Sequence, residues 1–550
     1  MKAMAALSTK RIEPLFRWSV ILSTCSILVG AYFAGIARGL DSFIGTAQVG
    51  PFLLGVCATA TRWLTGIGDY ACLQSIFSGD TGLMHDLGLR VQYDHLFHRE
   101  FIDNALQQLF SHPHWTVPPT TFGPPYVGIG GIGWGMDEGY ATFVDLAFHL
   151  FGPRLEAFYR TYWLIVGVAA AAYVIAYRRA LAPLLVLLVF AVVQYMIFST
   201  SLLWDFGGPV TDPGSPRFLS SLCIIPVLHL IAAARSDAPW RWRDLGPIAV
   251  QGFVLGLALL QRTTVDWVIL AFVLLAAVYW WWRRRFAPTT AKRRYWSVAV
   301  VALAIGLMTH LYSDVVRHRA ATAHGDVPGH NVWFTVFETL YYNPNWNARY
   351  GAEYNNLTYD EMVQFACRRY LARHKEEWPR WNPSNGDPYT IPMASVGIEQ
   401  LCRKAFFEFF RNDPKFVLAT WLVYNTQRAI VLGADMAAQY LQWLWGIPSL
   451  FLIGVGAIAG LISRRSVARL ALGYVPLTLY FTTMAVAPNW LTVLNTNTMT
   501  DYFVMLAITT GTAILAVGIV VGIIMRDALP IGTATALAPA NIGPAASDSL

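Results

Sequence analysis

Apolar runs of membrane-spanning length alternate along this chain with two long polar segments. A helix needs about 20 predominantly apolar residues to cross a ~30 Å hydrocarbon layer. Such runs recur at Trp18 to Arg38, Phe158 to Tyr177, Leu181 to Leu203 and Phe218 to Ala234. A hairpin follows, Ile248 to Leu260 and Val265 to Trp282, then Ser297 to Tyr312, Leu441 to Ile462, Leu470 to Val486 and Phe503 to Met525. The pattern predicts an all-α polytopic membrane protein with about ten transmembrane helices. Two weaker stretches read as lying at the interface. Val49 to Thr61 is interrupted by Gly and Pro and closed by Arg62, and Phe416 to Val431 contains Asn425, Gln427 and Arg428.

The polar segments divide the chain. Residues 1–312 form a transmembrane core with a large first loop at about 40–157. Residues 313–435 read as a lobe with an interfacial helix, 436–526 as C-terminal membrane helices, and 527–550 as a disordered Ala-, Gly- and Pro-rich tail. Within the first loop, Tyr140 to Gly152 has the pattern of a short amphipathic helix, too brief to span. Basic clusters set the orientation. Counted alternately from a cytoplasmic N-terminus, the flanks at Arg178, Arg241, Arg283, Arg464 and Arg526 all fall inside, as the positive-inside rule requires. Both long segments are then extracytoplasmic, in an inner (plasma) membrane.

Composition agrees with this class. Only 13% of the 550 residues are charged, against about a quarter in soluble domains, and the mean hydropathy is +0.43. The net charge of +7 raises the possibility of nucleic acid, but the arginines lie in short clusters beside apolar runs, so no nucleic-acid partner is expected. The apolar run after Lys2, Lys10 and Arg11 has no cleavage site, which predicts a retained first helix. The six cysteines show no CxxC and no zinc spacing. Cys25 and Cys223 fall in predicted spans. Cys367 and Cys402 share the second polar segment, where an external location would allow a disulfide.

Candidate chemistry centres on Trp134-Gly-Met-Asp137-Glu138-Gly-Tyr140. A carboxylate here, just above the lipid, suits a general base that takes a proton from an attacking hydroxyl. The bland alternative for Asp137 is a helix cap, and it carries equal weight. Asp41, beside the first span, and Asp86 are rival bases, with Asp94 and Asp103 behind them. Arg262, between Leu260 and Val265, is a charge at a span end. It suits a lipid phosphate, for which a forked guanidinium is well shaped, and equally a snorkelling side chain. Arg217 and Arg428 are weaker versions. Trp134 and Tyr140 could stack on a sugar ring, though interfacial belts absorb many of the 21 tryptophans and 25 tyrosines. His310, His318, His324 and His330 lack the i, i+4 spacing of a metal site.

The stretch Gln251-Gly-Phe-Val-Leu-Gly-Leu-Ala-Leu-Leu-Gln-Arg-Thr-Thr264 resembles the hairpin of multi-spanning C-type glycosyltransferases, such as the protein mannosyltransferase and aminoarabinose transferase relatives. Asp137-Glu-Gly-Tyr-Ala-Thr-Phe-Val-Asp-Leu-Ala-Phe-His-Leu-Phe-Gly152 is similar to the surface helix that precedes their second span. The likeness covers residues 15–310 by architecture. It implies a sugar donor on a polyprenyl phosphate, a catalytic acid in the first external loop and basic residues at external span ends. Relatives often place an acidic pair directly after the first span, where this chain offers only Asp41. The expectation is an inverting glycosyltransferase acting on a cell-envelope glycan, lipid or protein acceptor, with no required cofactor and a divalent cation left open. A polysaccharide polymerase or ligase, a lipid-linked glycan transporter and a purely structural membrane protein are the competing readings.

Overall fold

The computed structural model describes residues 2–38, 138–152, 154–200, 216–235, 244–261, 332–357, 359–375, 396–463 and 503–528, with isolated positions between 270 and 285 and between 473 and 478. These residues are 91% helical and include no strand. Among the described residues, four helical segments are long and apolar enough to cross a membrane: Ile12–Ala37, Glu156–Tyr177, Leu181–Ser199 and Val504–Ala528. A bent pair, Ala438–Leu444 with Ile447–Ile462, makes a fifth if taken as one span. The expected spans at Phe218 to Ala234 and Ile248 to Leu260 appear as shorter apolar helices, Ser220–Ala233 and Leu245–Leu259. The spans expected at Val265 to Trp282, Ser297 to Tyr312 and Leu470 to Val486 lie wholly or largely outside the described residues.

The core of the bundle is α4 (Leu181–Ser199). It is apolar all round, the mark of a helix surrounded by other helices, and every residue from Leu181 to Gln194 is buried. Against it pack α1 (Lys2–Arg38) and α3 (Leu155–Tyr177). On α1, Val20, Ile21, Thr24 and Ala31 face inward, while Leu15, Trp18, Leu22, Val29 and Phe33 form an exposed apolar stripe. That division suits one face on protein and one on lipid.

Two contacts fix the direction of α1 against α3. Arg17 donates to the carbonyl of Arg179, in the turn after α3. Near the other end, the Tyr159 hydroxyl donates to the Tyr32 carbonyl at 2.6 Å. The helices therefore run antiparallel. We call the end holding Arg17, Arg178 and Arg179 the foot, and the end holding Tyr32 and Tyr159 the head. A Cβ on Gly35 would collide with the Tyr159 hydroxyl, so glycine is what lets that bond form.

Helix α2 (Glu138–Phe151) turns into α3 through Gly152, whose φ of +80° suits a residue without a side chain. Phe143 and Phe148, five residues apart, both pack on Phe158, with ring centroids 6.2 and 5.4 Å away. Both meet one residue in the first turn of α3, so α2 lies across the head. The chain returns there at the turn Pro216–Leu219 and the 3₁₀ turn Ser220–Cys223, then descends through α5 (Ile224–Arg235). Helix α6 (Leu245–Gln261) packs on α3, α2 and both of those turns.

The second core belongs to the lobe. It unites α7 (Val332–Glu338), α8 (Tyr359–Arg373) and α9 (Val396–Asn412) around Phe337, Trp346, Met362, Phe406 and Phe409. After Asp413 the chain continues as α10 (Pro414–Ala419), a π-helical turn Thr420–Asn425 and α11 (Thr426–Leu444). Trp443 on α11 donates to the Thr200 hydroxyl at 3.1 Å, at the head end of α4. The end of α11 meets α12 (Ile447–Ile462) at 83°. The span expected at Leu441 to Ile462 is therefore bent, with Leu441 to Leu444 on one side of the break. Gly446 at φ +96° and Pro448 at the start of α12 produce the break. Helix α12 then packs along α13 (Phe503–Ala528).

Candidate functional site

Three described elements that carry or adjoin candidate residues meet at the head of the bundle. Glu138 opens α2, Tyr140 lies in its first turn, and Arg217 lies in the turn Pro216–Leu219. Helix α6 touches both of these elements. Gln251 of α6 donates to the Ala169 carbonyl of α3 at 2.7 Å. From Ala169 to Phe158 is about 16 Å of helix, and the arms of α6 on either side of Gln251 are about 15 Å toward Gln261 and 9 Å toward Leu245. Only the longer arm reaches α2, so Gln261, the residue before Arg262, comes to the head. Asp41, Asp86, Trp134, Asp137 and Arg262 themselves lie outside the described residues. So does the histidine set His310 to His330.

Beneath α2 an aromatic collar lines the head. Phe198 of α4 stacks near Tyr159, Tyr162 and Trp163 of α3, with centroids 5.7, 6.0 and 5.1 Å away. Tyr162 also meets Phe218 at 5.0 Å. Inside the collar lies a small polar cluster. The Tyr162 hydroxyl donates to Gln194 Oε1 at 2.9 Å and lies 3.5 Å from the Ser221 hydroxyl. Gln194 is fully buried, yet its Nε2 meets no acceptor among the described residues, nor does the neighbouring Thr161 hydroxyl meet a partner. A buried amide donor without an acceptor costs about 1–3 kcal/mol, so this cluster suits a polar ligand atom or a water.

Arg160 was not singled out from the sequence. It sits in the second turn of α3, paired at 2.5 Å with Glu156 one turn back, and its guanidinium lies 6.0 Å from the Phe151 ring of α2. About half of its side chain is exposed. A lone arginine opening an apolar run was the available signal.

The lobe holds two further polar groups that pattern reading missed. Asp413 accepts from the Tyr350 hydroxyl at 2.5 Å, pairs with Arg349 at 2.7 Å, and accepts from the backbone N–H of Phe416 at 3.3 Å. Burial, and then the Asp413 carboxylate that holds its proton, push the Tyr350 hydroxyl up to about 12. Arg349 and Tyr350 belong to a π-helical turn, Asn347–Gly351. Near the second π turn, Asn343 donates to Thr420 at 2.7 Å and Asn345 to the Tyr424 hydroxyl at 2.9 Å. Such turns are rare and concentrate at functional sites. Separately, Glu408 of α9 receives both His374, at 3.0 Å, and Arg373, at 2.5 Å. Among the described residues, no three His, Cys, Asp or Glu side chains are grouped to hold a metal ion.

The chain matches no protein-family model, no curated protein and no solved structure.

Proposed function

We propose that this protein is an inverting glycosyltransferase of the inner (plasma) membrane. It would move a sugar from a polyprenyl-phosphate donor to a cell-envelope glycan, lipid or protein acceptor on the outer face. The observation that carries the reading is the meeting of α2, the Pro216–Leu219 turn and the Gln261 end of α6 at one end of the bundle. A lipid-linked phosphate needs its headgroup held where hydrocarbon ends, at one end of the bundle.

In this reading Asp137, one residue before α2, takes the proton from the acceptor hydroxyl. The acceptor oxygen attacks the anomeric carbon as the bond to the phosphate breaks, and the configuration inverts. Arg262 and Arg217 stabilise the departing phosphate, with Arg160 of α3 a further candidate, through charge-assisted hydrogen bonds. Trp134 and Tyr140 offer faces for the sugar. Asp41 and Asp86 are the alternative bases, with Glu138 adjacent to the first.

The test is turnover of a polyprenyl-phosphate sugar by the purified protein, with glycan mass spectrometry on cells lacking it. Asp137→Asn should cut turnover by about 10²-fold or more, the scale of general base catalysis, with donor binding kept. If Asp137 only caps a helix, asparagine serves almost as well and turnover stays near wild type. Unaltered glycans together with no release of polyprenyl phosphate would remove the reading.

One observation favours a second reading, a lipid-linked glycan transporter. The 83° break at Trp445–Gly446 resembles the discontinuous helices of transporters. Movement of an intact lipid-linked glycan across a vesicle, without cleavage of its phosphate bond, would select that reading.

A further inference from the structure

Two lobe contacts have matching sequence offsets. Cys367 on α8 faces Cys402 on α9, 35 residues on, and His374 just past α8 meets Glu408 on α9, 34 residues on. The helices therefore run side by side in the same direction, and this register brings the two thiols together. Their sulfurs are 2.9 Å apart, well inside the van der Waals contact of two sulfur atoms. Both side chains are buried, Cys367 at 1% and Cys402 at 0% exposure, among Phe337, Phe406 and Met362 of the lobe core.

We propose that Cys367 and Cys402 are joined by a disulfide made as the lobe folds in an oxidising compartment. The two S–H bonds are lost and one Sγ–Sγ bond forms. The two protons and two electrons pass to the disulfide of a thiol-oxidising protein, whose S–S bond breaks to give its dithiol. Exchange requires in-line access to a sulfur, which the closed core denies. The bond therefore forms before α8 and α9 close on each other, and the packed core afterwards shields it from reductants. That burial makes it a structural tie rather than a catalytic pair. The tie fixes α9, whose end delivers Asp413 to Arg349 and Tyr350. The inference rests on the proposed function only for the lobe's external location.

The full-length protein is purified from its membranes after acid quenching and thiol blocking, then digested with trypsin without reduction. A linked pair is expected, residues 350–368 joined to residues 381–403, which separates on reduction and is absent in Cys402→Ala. Blocked, unlinked Cys367 and Cys402 overturn the proposal. A topology reporter after Gly351 then separates the two ideas. Blocked thiols in an external lobe leave the glycosyltransferase reading standing, and blocked thiols in an internal lobe remove its orientation as well. Thermal unfolding gives an independent arm. Cys367→Ala, Cys402→Ala and the double variant should each lower lobe melting by a similar amount, roughly 10 °C or more. Additive losses would mean two separate buried thiols and would also overturn it.

Discussion

Asp413 shows how much one side chain can organise. Its carboxylate caps α10, receives Tyr350 and faces Arg349. More than half of Arg349 is exposed, so that pair is worth about 0.2–1 kcal/mol. The cap and the tyrosine bond dominate. Asp413→Ala should therefore cost about 1–3 kcal/mol of lobe stability, while Asp413→Asn, which can still cap, should cost clearly less. Comparison of the two melting curves checks this ordering. Tyr350 gives a pH test. Its raised pKa means that the folded lobe holds the phenolic proton more tightly than the unfolded chain does. Stability from this source is complete below pH 10 and is lost as pH climbs from 10.0 toward about 12. Tyr350→Phe should flatten that alkaline limb, and an unchanged limb would assign it to other groups. Asp-Pro followed by an apolar run is a helix-start signal that pattern reading passed over. The Tyr350 partner of Asp413 lies 63 residues away in the chain, on a π turn that no hydrophobic period announces.

At the scale of elements, the contact between α12 and α13 is set by glycines. Gly456 and Gly460 on one helix, and Gly518 and Gly522 on the other, are each four residues apart and line the seam. A Cβ on Gly518 would run into the Ile453 carbonyl, and one on Gly522 into that of Ala457. The backbones touch, as in other small-residue seams in lipid. Gly518→Leu should then separate the helices and cost about 2 kcal/mol or more, read as loss of thermal stability in detergent. Gly454 is the control, because nothing lies within 4 Å of where its Cβ would stand. Gly454→Ala should leave melting unchanged or raise it slightly. Equal loss in both variants would mean that the close backbone contact of the seam is not what sets stability here. The apolar run from Leu441 to Ile462 shows what periodicity misses. Trp445 and Ile447 keep it hydrophobic through the turn, so it reads as one span. The bend depends on the positive φ of Gly446, a backbone property that hydropathy does not record. The short helix α2 was legible because its buried Phe143, Ala147 and Phe148 recur at helical spacing.

For the whole molecule, the decisive matter is which compartment the head faces. The described foot carries Arg17, Arg178 and Arg179, and the head carries aromatics, α2 and α11. Positive charge is retained on the cytoplasmic side, so the head is expected outside. The order of spans and their basic flanks lead to the same expectation from sequence alone. What sequence could not supply is how α11, which follows the lobe, docks on the bundle. That depends on contacts such as Trp443 to Thr200, 243 residues apart. Reporter fusions after Gly135 and after Gly351 should both report outside, and a fusion after Arg179 should report inside. The three positions sample the first loop, the lobe and the foot independently. An inside signal at Gly351 with an outside signal at Gly135 would require an extra crossing between Gly135 and Gly351, and α11 would then have to be a span. An inside signal at both, with an outside signal at Arg179, would invert the molecule. It would place the arginines and carboxylates of the head against the cytoplasmic leaflet. A polyprenyl-phosphate donor presented on the outer face could not then reach them, and the glycosyltransferase reading would fall with the orientation.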